Sequence, residues 1–334
     1  MKFQFFIKLT MALLCSVLCR SVAAQQMSRS DKIRIREAIS ISQKFGDKIW
    51  EGINNIPFAI ILVTDSVEFM VNHPDPPPGF ILCEKDTVLR ADIFYRKRQY
   101  PVNWLATFPV NGTSCIVAGT PANTGRHSTA WIMTLLHEHF HQYEYSYPGY
   151  FRDVEALGLS NGDQTGMWML NYPFPYDSIP VSEQYKKYTL ALSDLIAGLD
   201  TKTFDPLFKR YRPERKKIRQ LLKPADYRYL SFQVWQEGVA RYTEYKFLEL
   251  MGDYDPSKEI AALPGFISFS DYKDQLYRSE MKDLAGLELS EGKRVCFYSA
   301  GFAEAILLDK LNPAWRSLFL KDKFDIGRYS KKLR

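Results

Sequence analysis

The run His137-Glu138-His139-Phe140-His141 constrains this 334-residue chain more than any other feature, because three of its five histidines fall inside it. Residues four apart share one face of an α-helix, so His137 and His141 can grip a single metal ion. Glu138 is then turned about 100° away, beside a coordinated water. This H-E-x-x-H spacing is the arrangement of zinc hydrolases, most often metallopeptidases. The flanks support a helix: Trp131, Ile132, Leu135, Leu136, Phe140 and Tyr143 recur along one apolar stripe. On a strand, His137, His139 and His141 would share a face as a three-histidine site. Met133, Leu135 and Leu136 favour helix instead, and no β-branched alternation surrounds them. On the helix His139 lies about 200° from His137, which makes it a packing residue rather than a ligand.

Zinc takes a third protein ligand and keeps a position for water. Glu144 cannot supply it, because seven residues of helix rise about 10 Å whereas metal bonds are about 2 Å long. The ligand is expected from another helix, with Glu237 as the candidate. The plain alternative is an exposed Glu237 paired with Arg241 four residues on. The segment around it, Gln236-Glu237-Gly238-Val239-Ala240-Arg241-Tyr242-Thr243-Glu244-Tyr245, resembles the third-ligand helix of the gluzincin aminopeptidases, N-E-G-F-A-x-Y-x-E-Y. Gln236 stands for Asn and Val239 for Phe. Further on, Tyr298-Ser299-Ala300-Gly301 is similar to that family's Y-x-x-G. The resemblance implies a zinc ligand at Glu237 and an oxyanion donor at Tyr298, with the separation between them also similar. The chain departs from the family in two places. The interval from His141 to Glu237 is much longer, so a subdomain is inserted. The family's G-x-M-E-N strand is also missing, and Val117-Ala118-Gly119-Thr120 offers no acid in its place.

On this reading His137, His141 and Glu237 hold Zn²⁺. Glu138 takes a proton from the attacking water and passes it to the leaving amine. Tyr298 meets the developing oxyanion, with Tyr242 and His127 as rival donors. Glu144 and Glu244 either orient the histidines or are solvated surface acids. The strand at 114–118 is expected to pair with an extended peptide.

The first 24 residues read as a sorting signal: Lys2 and Lys8, a short apolar run over 9–19, then Val22-Ala23-Ala24. Removing Lys2, Lys8 and Arg20 lowers the formal charge from +6 to +3, too little to argue for a nucleic-acid partner. No later stretch approaches the roughly 20 apolar residues of a membrane span. An exported location, periplasmic or extracellular, follows as the expectation. Of the three remaining cysteines, Cys83 and Cys115 share the strand-rich part and are the favoured disulfide pair, although spacing leaves the pairing open. No C-x-x-C pair offers thiolates to zinc.

Along the chain, a helix is expected from Ser30 to Phe45, then strands at 58–63, 67–71, 80–83, 88–95, 104–109 and 114–118. Asn111-Gly112 marks a hairpin. Helices are expected through the metal motif and at 184–199, 214–222, 231–251 and 300–311. Residues 146–180 show no period but carry Tyr147, Tyr150, Tyr172, Phe174 and Tyr176, either an aromatic wall or packing for the insertion. The expected class is α+β and zincin-like: a small mixed sheet with the metal helix in 25–145, then a mainly helical part in 146–334. The expected activity is a secreted zinc hydrolase acting on peptides or proteins. The alternatives are hydrolysis of a non-peptide amide or ester, and a binding protein without turnover.

Overall fold

The structure, a computed structural model, describes residues 26–331 and 333. The expected sorting signal lies outside the described residues. Six strands form one sheet: β1 Ile60–Val63, β2 Val67–Val71, β3 Ile81–Asp86, β4 Ala91–Lys97, β5 Leu105–Val110 and β6 Thr113–Gly119. Their order is β3-β4-β2-β1-β6-β5, with β1 and β6 parallel and the other neighbours antiparallel. The continuous apolar run of β1 reflects burial on both faces. Ile60 and Leu62 join the main core, while Ile61 and Val63 join a smaller cluster on the opposite face.

The longer helices are α1 Arg29–Ile49, α2 Ser128–Tyr145, α3 Ile179–Ala197, α4 Phe204–Leu221, α5 Pro224–Gln233, α6 Val239–Leu250, α7 Phe269–Gly286 and α8 Cys296–Leu311. A π-helical turn, Val234–Gly238, joins α5 to α6. The fold is thus mixed α+β, with the sheet in the N-terminal half and most helices after it. Among the described residues no helix is long and apolar enough to cross a membrane.

Helix α2 lies across β5 and β6 and is tied to the sheet by side chains along its length. Trp131 Nε1 donates to the Gly119 carbonyl at 2.8 Å. The Thr107 hydroxyl reaches the Glu138 carbonyl at 3.0 Å. Gln142 Nε2 donates to the carbonyls of Ala59 and Ser114 at 2.9 and 2.7 Å. Beneath α2, Phe140 packs on Trp50 and Phe319, with ring centroids 5.0 and 5.4 Å away.

Several expectations shift. The strand read at 88–95 begins later, at Ala91, because Asp86 accepts the Leu89 N–H and Arg90 turns the chain at φ +54°. Helix α4 starts ten residues before Glu214, with Pro213 inside it on the solvent side, where a lost backbone bond is replaced by water. Helix α7 was not anticipated, although Ser268 caps it by accepting the Asp271 N–H. The strand expected to meet a peptide, now β6, is enclosed between β1 and β5. The Asn111-Gly112 turn, with φ +46° and +77°, folds β5 outside it, so β5 is the open edge. The Cys83–Cys115 bridge does not form. Their strands, β3 and β6, are separated by three others, about 19 Å, and Cys115 is a buried free thiol.

Two glycines fix a helix crossing. A Cβ on Gly301 would lie 2.3 Å from the Val234 carbonyl oxygen and 2.6 Å from the Gly238 Cα. Gly301→Ala should therefore destabilise by about 1–3 kcal/mol through overpacking. Gly286→Ala, where an added Cβ meets nothing within 4 Å, should be neutral or slightly stabilising. Urea unfolding of the two variants measures the contrast; equal midpoints would refute the crossing constraint.

Candidate metal centre

Helix α2 presents His137 and His141 one turn apart, with ring centroids 4.9 Å from each other. The π-turn after α5 delivers Glu237 to the same point. Its Oε2 lies 3.4 Å from His137 Nε2 and 3.7 Å from His141 Nε2. A tetrahedral shell with bonds of about 2.0–2.1 Å separates its ligand atoms by roughly 3.4 Å. Candidate donor atoms of all three side chains fall within 4.8 Å of one another, so the cluster could hold a metal ion.

The far side of each imidazole is held by a buried acid. His137 Nδ1 is 2.8 Å from Glu244 Oε1, and His141 Nδ1 is 2.6 Å from Glu144 Oε2. An Nδ1–H donated outwards leaves the inward Nε2 with a free lone pair, the form a metal requires. Two such lone pairs facing the Glu237 carboxylate repel it unless a proton or a cation lies between them. Burial alone would lower both imidazole pKa values. Instead Glu237 and Glu244 raise His137, and Glu144 and Glu237 raise His141 well above its ordinary value. Burial would likewise raise Glu237, yet the two histidines hold it well below the usual carboxylate range. Burial does prevail at Glu144, which is pushed up to about 7. The donor set and its charge therefore fit a cation.

Glu144 and Glu244 are thus orienting groups inside the protein, not solvated acids. The pairing of Glu237 with Arg241 does not occur, because Arg241 is engaged by Glu244 at 2.8 Å and by Glu280 at 3.1 Å. His139 faces away, as expected: it stacks on Phe58 at 4.4 Å and contacts Gln142. Burial takes its pKa down to about 4.

Glu138 lies beside the cluster, and its Oε2 accepts from Thr107 Oγ1 at 2.9 Å. Tyr298 lies over His137, with ring centroids 6.5 Å apart, and its hydroxyl accepts from Arg294 at 2.7 Å. Arg294 also stands 3.8 Å from Glu237. Burial and the Glu237 charge keep the Tyr298 phenol protonated, well above its usual pKa. The rival donors are placed elsewhere. Tyr242 is buried against Asp309 and Arg316, and His127 caps the start of α2.

These groups open into a cavity of about 760 Å³. Its walls are the edge strand β5, the two metal-motif helices and the segment after α2. That segment both packs and lines: Tyr150 and Phe174 are buried, whereas Phe151, Met167 and Leu170 face the cavity. Sequence reasoning missed Thr107, Arg294 and Arg126 here. Thr107 carries no motif, and only the β5–β6 register brings it beneath Glu138.

Comparison with protein-family models, with curated proteins and with solved structures found no match to this chain.

Proposed function

We propose that the chain is a zinc-dependent hydrolase of the gluzincin kind, acting on peptide bonds in its expected exported setting. The observation that carries this reading is the convergence of His137, His141 and Glu237 on one point, with Glu138 beside it. Two nitrogens and a carboxylate oxygen suit zinc, and since all three side chains line the cavity, a bound ion would keep a position for water there. A purely structural site closes that position and has no use for Glu138. When bound, zinc acidifies a water and polarises the carbonyl under attack.

The remaining work falls to the chain's own side chains. Thr107 engages Glu138 Oε2, so Oε1 is the atom that takes a proton from the attacking water and returns it to the leaving amine. Arg294 donates to the Tyr298 oxygen, which leaves the phenolic O–H free to swing from Glu237 to the oxyanion. The open edge of β5 takes the substrate as an added strand, replacing the role first given to β6.

Glu138→Gln should keep one equivalent of zinc and lose about 10²–10⁴-fold in turnover. Zinc analysis together with an assay on peptide, acylated and ester substrates checks this, and turnover by the variant at the parent rate would count against the scheme. An ester-only profile would instead favour the non-peptide alternative.

Metal loading should also be linked to pH. Raised imidazole pKa values stabilise the metal-free fold fully below the unfolded pKa of about 6.5. That contribution is lost as pH rises through the raised folded values. Zinc needs both rings neutral, so its stabilisation grows over the same interval, by about 1.4 kcal/mol per pH unit for each proton displaced. Melting temperatures of zinc-loaded and chelated protein should diverge as pH rises above about 6.5. Parallel curves would remove the histidines from the metal site.

A further inference from the structure

The cavity differs at its two ends. Towards the start of α2 it is walled by Thr134, Arg126 and Arg241. Arg241 belongs to that end because it contacts Glu244, which holds His137. Towards the end of α2 the wall is mainly Tyr145, Phe151, Val154, Met167 and Leu170, while the two acids of that segment, Glu155 and Asp163, accept from the Ser160 hydroxyl and the Trp168 N–H. Gln236 belongs there, since its amide donates to Tyr150. The metal cluster lies between the two.

The three guanidinium groups of the cavity are not equivalent. Arg241 is taken up by Glu244 and Glu280, and Arg294 by Tyr298 and Glu237. Among the described residues none gives the Arg126 side chain a hydrogen bond or an ion pair. Its backbone is nonetheless held. The Arg126 N–H donates to the Pro121 carbonyl at 3.0 Å, and Thr124 closes the same loop onto the Thr120 carbonyl at 2.9 Å. The Arg126 charge is felt by Glu244, yet its guanidinium makes no hydrogen bond or ion pair among the described residues, and a half-buried cation in that state facing a cavity is a ready site for an anion. One planar fork matches one carboxylate. At the opposite end Phe151, Met167 and Leu170 are 46%, 47% and 46% exposed, large apolar groups left open to the cavity. Covering them requires an apolar occupant.

We infer that the substrate carries a carboxylate on the side of the scissile bond facing Arg126 and a bulky apolar group on the side facing Phe151, Met167 and Leu170. This rests on the hydrolase reading only for the existence of a bond between the two subsites. The carboxylate comes either from an acidic side chain or from a free chain terminus. Both present the same group to the guanidinium.

The test uses the full, zinc-loaded chain carrying Glu138→Gln, with binding of synthetic peptides followed by calorimetry. One capped peptide places Phe and Asp across the central bond, in each order; its twins replace Asp by Asn or Phe by Ala. Another carries Phe, a neutral neighbour and a free C-terminal carboxylate, with an amidated twin. In one order, a carboxylate-bearing peptide should bind roughly tenfold or more tightly than its neutral twin. Arg126→Ala should erase that ratio, and Arg126→Glu should turn it towards a lysine twin. Preference in the Asp pair or in the free-terminus pair tells the two sources apart. Equal affinities, a ratio that survives Arg126→Ala, or no binding by any peptide overturns the inference. Turnover by the unsubstituted enzyme is scored separately. Charge-selective binding without cleavage would leave the subsites standing and remove the hydrolase reading, and cleavage without charge preference would do the reverse.

Discussion

The backbone contact between Gly238 and Gly301 decides where the metal cluster can be. With no side chain at either position, the π-turn and α8 approach until a Cβ would fall within about 2.3 Å of the opposing backbone. Glu237 immediately precedes one glycine, and Tyr298 lies one turn before the other. A single crossing therefore positions both side chains over the histidines of α2. The π-turn adds a residue to the turn and re-aims the side chain it carries, which is why such turns recur at functional sites. Trp235 secures the other side of that turn by stacking on Phe319 at 4.2 Å and donating to Tyr329 at 2.7 Å.

Because α2 is pinned by Trp131, Thr107 and Gln142, its metal-facing side has little freedom to adjust. The two faces of this helix do different work. Phe140 and its aromatic neighbours anchor it in the core, while His137, Glu138 and His141 turn towards the cavity. Gln142 is spent on the sheet and His139 on Phe58, so the polar residues of α2 are nearly all matched to a partner. Thr107 ties the edge strand β5 to Glu138 directly, through both its carbonyl and its carboxylate.

How far the sequence discloses this follows from which interactions are local. The His137–His141 pair is legible because four residues of helix fix their geometry whatever surrounds them. Glu237 and Tyr298 are legible through short flanking patterns, and the Gly238–Gly301 contact supplies a physical reason for the glycine in each. The parts that escaped are set by distant packing. Glu144 and Glu244 read equally well as surface acids until the fold buries them against the imidazoles. Helix α7, with Glu280, had a readable cap in Ser268 and Asp271 but a weak apolar stripe. The exchange of β6 for β5 as the open edge turned on strand order, which residues 105–119 alone do not encode. Residues 146–180 have no period, so the apolar wall they build emerges only from their path over the cavity.

Electrostatics then ties folding to occupancy. Among the described residues, Glu144 Oε1 and Glu244 Oε2 are buried without a hydrogen-bond partner. Burying carboxylates this way is expensive unless opposite charge is close by; Arg241 supplies it to Glu244, while the imidazoles supply it only by taking up protons. The same carboxylates that raise the histidines also strengthen them as ligands, because each Nδ1–H donated outwards makes the inward nitrogen more basic. A cation at the centre would relieve the repulsion and free the rings from protonation in one event. Converging charges that only protons or a cation can relieve need a scaffold able to hold them together. The aromatic layer of Trp50, Phe140, Trp235, Trp315 and Phe319, fully buried directly beneath α2 and the π-turn, is placed to do that.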